Sequence, residues 1–378
     1  MNKTRAALTA LFAALLVYYF VAIYPQLRTA PPEGLKSTVT MQFYRGADGQ
    51  YRPSETAMWQ AAIQSAWQAE AEVRYKDAEM FFKASLDEAE KLENRRDCLN
   101  PSWHGLAGLY LELGRYTESD AAYKRVFASF DPETEQDNVE RAHILNGMAW
   151  LRCCTGQYED AIPLAERSIA VFEKNNGEKD EQTMNVLHTL ATAYVGLNRN
   201  DEAEALFLRC MRENEEMGRP QKSFLNRDLG TLYARLGRLD EAEALCKRGA
   251  ELLKMEHFVP RHPEHAREAD SFAILYAALG RFEEAEVQCL ESLAIRGKAF
   301  GPDHPATATT LRTYADVLEA TSRTVEAQAK RSLADRIEKR VREAAKHIPP
   351  PVLPESQPAL EPGAKPDGET SLLEKTAL

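Results

Sequence analysis

Small, apolar and charged residues follow a pattern that recurs along most of this chain. A clear copy reads Gly237-Arg238-Leu239-Asp240-Glu241-Ala242. We call the first residue of each copy its corner residue. The corner residues lie 39 to 43 residues apart and are Val73, Gly114, Gly156, Asn198, Gly237, Gly280 and Ser322. A period of this length indicates an architecture built from structural repeats.

Two columns of small residues accompany the corners. Seven positions before them stand Ala66, Ala107, Ala149, Ala191, Gly230, Ala273 and Ala315. Five positions after them stand Ala78, Ser119, Ala161, Ala203, Ala242, Ala285 and Ala327. Helices cross closely only where small side chains let ridges enter grooves. We therefore predict that each repeat is a helix, a turn at the corner residue and a second helix that crosses the first.

Large aromatic residues fill the predicted seam between these helices. Four positions before the corners stand Tyr110, Tyr194, Tyr233 and Tyr276, and nine positions after them stand Phe82, Tyr123 and Phe207. One helical hairpin cannot bury such a face alone, whereas stacked neighbours can. Seven repeats exceed the roughly three needed for a stable stack, so the pattern predicts an all-α stack of hairpins.

Over residues 54–346 the pattern resembles the tetratricopeptide repeat family. The period, and the linkers Phe300-Gly301-Pro302-Asp303-His304-Pro305 and Arg261-His262-Pro263-Glu264-His265, are similar to the kinesin-light-chain-like subtype of about 42 residues. The resemblance implies a right-handed α-solenoid of about seven helix-turn-helix repeats. Two features depart from the family: Val73 and Ser322 replace glycine in the end repeats, and Arg152 stands where tyrosine is usual.

The resemblance also implies that the first helices of the repeats line a concave groove. Residues ten and six positions before each corner then point inward, and we predict a ligand groove that contains Trp67, His104, Asn146, Trp150, His188, Thr192, Arg227, Thr231, Asp270 and Arg312. Trp67 and Trp150, two repeats apart with Gly108 between them, are the strongest candidates because aromatic residues often anchor interfaces. The Lys/Asn/Arg clamp of heat-shock chaperone cofactors is missing from these columns, so we predict no such clamp.

The two ends of the chain differ from the repeats. Residues 6–24 are uncharged and long enough to span a bilayer, so we predict an uncleaved membrane anchor at 1–24. Lys3 and Arg5 precede it, which favours a single-pass protein with a cytoplasmic N-terminus and its repeats on the exported side; a cleaved secretory signal is the alternative. Residues 25–53 are predicted to be a flexible stalk, and a short strand pair around Val39–Phe43 is the weaker alternative. The segment 347–378 has seven prolines, which predicts a disordered tail.

Composition narrows the chemistry further. A net charge of −11 without any cluster of Lys and Arg argues against nucleic-acid binding. Cys210, Cys246 and Cys289 fall in core columns and are predicted to be buried, whereas Cys153 and Cys154 are harder to place. His262 and His304 each precede proline in equivalent linkers, which favours a repeat position over a metal site formed with His257 and His265. No catalytic, metal-binding or cofactor-binding motif is evident.

These observations predict a non-enzymatic, membrane-tethered scaffold or assembly adaptor that binds a protein or peptide in a concave groove, without a cofactor. A structural array that associates with itself, or a secreted repeat protein if the N-terminal segment is cleaved, is the alternative. An enzyme that uses Cys153 or the histidines is a third class, which would need a third catalytic group close by.

Overall fold

A computed structural model of the protein describes residues 43–45, 51–53, 55–93, 95–131, 138–177, 180–256 and 258–349. The predicted anchor and the tail beyond Pro349 lie outside the described residues. Within the predicted stalk, strands β1 (Phe43–Arg45) and β2 (Tyr51–Pro53) pair antiparallel, with Tyr44 opposite Arg52. A strand pair around Val39–Phe43 was the weaker alternative to a flexible stalk, and the observed pair begins at Phe43.

The remaining elements that the structure describes are all helices, which confirms the predicted all-α class. They are α1 Ala57–Ala71, α2 Tyr75–Ala89, α3 Arg95–Glu112, α4 Tyr116–Phe127, α5 Val139–Thr155, α6 Tyr158–Asn176, α7 Glu181–Gly196, α8 Asn200–Glu216, α9 Ser223–Arg235, α10 Leu239–Met255, α11 Pro263–Ala278, α12 Phe282–Ala299, α13 Thr307–Ala320 and α14 Thr324–Ala345. In chain order each consecutive pair of helices is one repeat, so α1 and α2 form repeat 1 and α13 and α14 form repeat 7.

The chain divides into two compact units. The first contains the described residues up to Gly114 together with Gly218–Ile337, and the second contains Arg115–Met217 together with the described residues from Glu338 onward. The first unit thus brings together repeats from the two ends of the array. In the second, the beginning of the tail joins repeats 3 and 4.

All seven predicted corner residues have a left-handed backbone. Gly156 has φ of +76° and Gly237 of +77°, while Asn198, Val73 and Ser322 adopt φ between 59° and 63° without being glycine. The amide of the next residue closes the turn by donating to the carbonyl four positions before the corner, as from Arg238 to Tyr233 at 2.9 Å. This pattern is the Schellman ending of a helix, and it confirms the repeat register.

Both columns of small residues are buried where the paired helices cross. Their side chains are at most 1% exposed, and Gly230, which has none, is buried as well. A Cβ atom on Gly230 would lie only 2.9 Å from Sγ of Cys246. The aromatic column connects neighbouring repeats, because the ring of Phe82 occupies the space that a Cβ on Gly105 would need. Close packing of this kind leaves no room for larger residues.

The helices that the structure describes include none that is both long enough and apolar enough to cross a bilayer. Helices in a stack of hairpins bury one stripe and keep a polar face. This finding overturns the predicted localisation as a single-pass membrane protein with exported repeats, and we correct that prediction. Residues 6–24, on which it rested, lie outside the described residues.

Candidate ligand face and the residues around it

The predicted groove residues of the second compact unit lie close together on α5 and α7, the first helices of repeats 3 and 4. The rings of Trp150 and His188 stack with centroids 5.9 Å apart, and His188 also contacts the ring of Phe207 at 6.0 Å. Asn146 is half-buried one turn before Trp150, and its Oδ1 atom has no hydrogen-bond partner. Thr192 lies one turn after His188 and donates to its carbonyl oxygen at 2.9 Å.

In the first compact unit, the N-terminal groove residues differ in exposure. Trp67 on α1 is 48% exposed, and His104 on α3 is half-buried. A Cβ atom placed on Gly108 would have no neighbour within 4 Å. Trp67 and the surface beside Gly108 are therefore accessible on the first-helix face, and a ligand groove there stays a prediction.

The C-terminal groove residues are engaged in ion pairs instead. Arg227 is buried and bonds Glu264 of the next repeat at 2.7 Å. Burial alone would lower the pKa of Arg227, but the carboxylates of Asp228 and Glu264 outweigh it and raise that pKa. Thr231 donates to the carbonyl of Arg227 at 2.9 Å. These contacts join repeats 5 and 6.

Asp270 and Arg312 continue this arrangement. Asp270 accepts from Arg296 at 2.6 Å and from Thr310 of the next repeat at 2.7 Å. Arg312 reaches Asp335 at 2.7 Å in an exposed pair. A buried charge is stable only when it is paired, so Arg227 and Asp270 act as connectors between repeats.

The sequence did not predict a contact between the two ends of the array within the first compact unit. The linker after α12 packs on repeats 1 and 2: the ring of Phe300 stacks on Tyr75 at 5.3 Å, and Pro305 lies against Gly114. His304 donates from Nε2 to the carbonyl of Glu112 at 2.9 Å, while its Nδ1 accepts from the amide of Ala306 at 3.2 Å. Both nitrogens are thus used by a neutral ring, and burial lowers the pKa of His304 to about 4.

Charged side chains gather beside that contact. Arg267 lies 3.6 Å from the carboxylate of Glu112 and 3.0 Å from that of Glu264. Burial, with the nearby charge of Glu112, raises the pKa of Glu70 to about 7. The only sequence feature that marks this contact is the histidine-proline linker, and the linker sequence does not indicate which repeat it packs against.

The cysteines confirm their predicted core positions. Cys210, Cys246 and Cys289 are fully buried, and burial raises the pKa of each thiol to about 12. Cys153, which the sequence left harder to place, is also buried, and burial raises its pKa strongly. A thiol of this kind is a poor nucleophile at neutral pH.

The linker histidines occupy equivalent positions, as predicted. The Nδ1 atom of His262 accepts from the amide of Glu264 at 3.2 Å, as that of His304 does from Ala306, and each ring stacks on the phenylalanine four residues before it. His257 lies outside the described residues. In the described ranges, no group of three His, Cys, Asp or Glu side chains could hold a metal ion.

The corner of repeat 3 holds the beginning of the tail. Arg152, which replaces the usual tyrosine, donates to the carbonyl oxygens of Ile348 at 3.3 Å and Pro349 at 2.6 Å. Ile348 is 1% exposed. The residues that follow the last helix therefore differ from the predicted disordered tail as far as Pro349.

Family models for the tetratricopeptide repeat match residues 98–174, 140–212, 227–264 and 266–330, which together are more than half of the chain. This chain belongs to the tetratricopeptide repeat family. As a tetratricopeptide repeat protein it is a scaffold of the protein-binding class. No curated protein matches it.

Solved structures with a similar fold include two Rap proteins. The Rap conjugation gene regulator of plasmid pLS20, in complex with a Phr peptide, has a TM-score of 0.61 and 12% identity, over 88% of this chain and 87% of that one. A Rap protein complexed with Competence and Sporulation Factor has a TM-score of 0.60 and 14% identity, over 78% of each chain. At these identities the likeness concerns the fold alone.

The matching structures also include kinesin light chain-like repeats, the subtype that the sequence predicted. A putative kinesin light chain repeat protein of Podosopora anserina is 21% identical, over 53% of this chain and 96% of that one. Its TM-score is 0.37, so the similarity of fold rests on the Rap proteins instead.

Proposed function

We propose that this tetratricopeptide repeat protein is a non-enzymatic scaffold that binds an extended peptide on the first-helix face of repeats 3 and 4. The observation that supports this most is the stacked pair of Trp150 and His188 on neighbouring first helices. Asn146 and Thr192 lie one turn from these rings on the same faces. Aromatic rings beside polar side chains are typical of surfaces that bind peptides.

The chemistry of the face suits a main chain that carries an apolar side chain. The two rings offer flat apolar surface, which contributes most of the binding energy at many interfaces. The side-chain amide of Asn146 offers Nδ2 as a donor for a peptide carbonyl, while its Oδ1 is buried and has no partner in the structure. The Rap regulator of similar fold contains a peptide; this chain shares the fold, and the ligand is our proposal.

The proposal can be tested with peptides selected from a random displayed library on the full chain. We expect Trp150→Ala and Asn146→Ala to weaken the selected peptides about tenfold or more, because each removes a direct contact. The midpoint of urea unfolding should change little. Leu208→Ala is the matched control, since Leu208 is an exposed apolar residue on the second helix α8. Equal affinity for Trp150→Ala and the unsubstituted chain would refute the proposed face.

The other predicted groove residues stay predictions. Trp67→Ala tests separately whether the first helices of the first compact unit bind a peptide. A self-associating array is the competing function. It predicts sedimentation that depends on concentration without any ligand and is unchanged by Trp150→Ala.

A further inference from the structure

The corner of repeat 3 departs at two positions from the pattern of repeats 4, 5 and 6. In repeats 4, 5 and 6 the arginine that follows the corner residue lies over the ring of the tyrosine four positions before that corner residue. In repeat 5, for example, the guanidinium carbon of Arg238 is 3.6 Å from the ring centroid of Tyr233. In repeat 3 the tyrosine position holds Arg152 and the arginine position holds Gln157. The aromatic stack is therefore replaced by two hydrogen-bonding side chains.

These two side chains bind consecutive carbonyl groups of the tail. Arg152 donates from Nη1 to Ile348 and from Nη2 to Pro349, and Gln157 donates from Nε2 to Ile348 at 3.3 Å. Gln157 in turn accepts from Nη1 of Arg152 at 3.1 Å and from the hydroxyl of Thr155 at 3.0 Å. The planar guanidinium presents its donors in a fixed fork, which suits two acceptors on one backbone.

Charge and packing complete the contact. The side chain of Arg152 is 0% exposed, and a carboxylate oxygen of Asp120 lies 3.7 Å from it. Ile348 is buried, whereas His347 and Pro349 on either side of it are exposed. The tail is thus held by one aliphatic side chain and two carbonyl oxygens.

We propose that the corner of repeat 3 is a binding site for an aliphatic residue followed by proline, and that the chain's own Ile348–Pro349 occupies it. A proline has no amide hydrogen and favours the extended polyproline conformation, in which carbonyl groups are free to accept hydrogen bonds. The site recognises those two carbonyl groups by hydrogen bonds and the one apolar side chain by burial. It does not depend on the proposed ligand face, because Arg152 lies about 200° around α5 from Trp150.

The experiment uses a fluorescent peptide with the sequence of residues 346–356, KHIPPPVLPES. Ile348→Asp in the full chain should release the tail, since a carboxylate cannot remain buried there unpaired. We expect the peptide to bind this variant, and to bind the unsubstituted chain about tenfold or more weakly, because a tethered segment competes at high effective concentration. Val352→Asp, further along the tail, is the control and should behave like the unsubstituted chain.

A second arm restores the family pattern in the Ile348→Asp background with Arg152→Tyr and Gln157→Arg. The peptide should then bind about tenfold or more weakly, since the fork and the amide are gone. If circular dichroism shows that this variant is unfolded, Arg152→Lys, which keeps the charge without the fork, takes its place. The proposal fails if the peptide does not bind the Ile348→Asp variant, binds it no better than the unsubstituted chain, or binds equally after the corner is restored.

Discussion

The corners of repeats 5 and 3 have the same backbone and different partners. Gly237 and Gly156 have φ angles of +77° and +76°, and each turn closes with a hydrogen bond of 2.9 Å to the carbonyl four positions before the corner. On this frame, Arg238 lies over Tyr233 and pairs with Glu241 at 2.7 Å. In repeat 3, Arg152 instead donates hydrogen bonds to the carbonyl groups of Ile348 and Pro349 in the tail. The backbone of the repeat thus leaves two side-chain positions free to acquire a partner.

The linkers of the first compact unit offer the same comparison. His262 and His304 both cap the start of the following helix through Nδ1. Only His304 donates to the carbonyl of Glu112 in repeat 2. One copy of a repeated feature has again gained a contact with a segment distant in the sequence.

The largest loss of stability should follow from overpacking the helix crossings, which are alike in repeats 3 and 5. Ala161→Phe and Ala242→Phe each place a ring in a position that is 0% exposed. Overpacking of this kind costs about 1–3 kcal/mol or more, and we expect similar losses for the two variants in urea unfolding. Leu208→Phe on an exposed face is the control. A loss confined to repeat 5 would mean that repeat 3 differs throughout and not only at its corner.

The second largest effect concerns His304 and has a defined dependence on pH. The pKa is about 6.5 in an unfolded chain and about 4 here, so between these values the unfolded state binds more protons. The stability that the neutral ring contributes is therefore complete above about pH 6.5 and is lost as the pH falls toward 4.

We expect the stability lost by His304→Gln to shrink by at most about 3 kcal/mol between pH 7 and pH 4. Urea unfolding of both proteins across this range measures it, and subtraction removes the titration of other groups. His262→Gln, without a contact to Glu112, should show a weaker dependence. Equal slopes for the two variants would contradict the role given to the Glu112 contact.

A smaller difference in unfolding free energy should separate the loss of Arg152 in repeat 3 from the loss of Arg238 in repeat 5. Arg152→Ala leaves the buried Asp120 with Lys124 as its remaining partner and removes the donors to the tail carbonyls of Ile348 and Pro349, of which Ile348 keeps its bond from Gln157. This loss should cost about 2 kcal/mol in unfolding free energy. Arg238→Ala removes an exposed pair and should cost clearly less. Comparable losses in urea unfolding would show that Arg152 serves the corner as Arg238 does.

The smallest effect concerns Val73, whose φ of +60° is strained for a β-branched residue. Val73→Gly should stabilise the protein by about 0.5–1 kcal/mol, because relief of strain exceeds the added chain entropy. Thermal unfolding measures it, with Ala71→Gly in the preceding helix as the destabilising control. A lower melting temperature for Val73→Gly would mean that its side chain contributes more by packing than its backbone costs.

The sequence predicted the corners and crossings because both depend on local requirements. Only small residues fit where Ala203 or Ala242 lies, and a left-handed turn favours residues such as Gly237. The pattern therefore also located the left-handed Asn198, whose side chain tolerates that conformation.

The sequence could not predict the partners of the candidate site. It indicated that Arg227 and Asp270 face inward, but their ion pairs depend on residues such as Glu264, 37 positions away. It identified Arg152 as a departure from the family, yet its partner Ile348 is 196 residues further on. Such contacts follow from how the repeats stack, which no local pattern specifies.

The most direct test of the account is whether the tail contacts the corner of repeat 3 in solution. His347 is exposed beside the buried Ile348, so a photoreactive p-benzoylphenylalanine can replace it. After irradiation and tryptic digestion, we predict crosslinks within residues 142–167, which trypsin releases as the peptides Ala142–Arg152 and Cys153–Arg167. We predict no crosslink within residues 142–167 when Arg152→Tyr and Gln157→Arg restore the family pattern and move the tryptic boundary to position 157. Crosslinks that are absent from these peptides, or that persist after the restoration, would contradict the account.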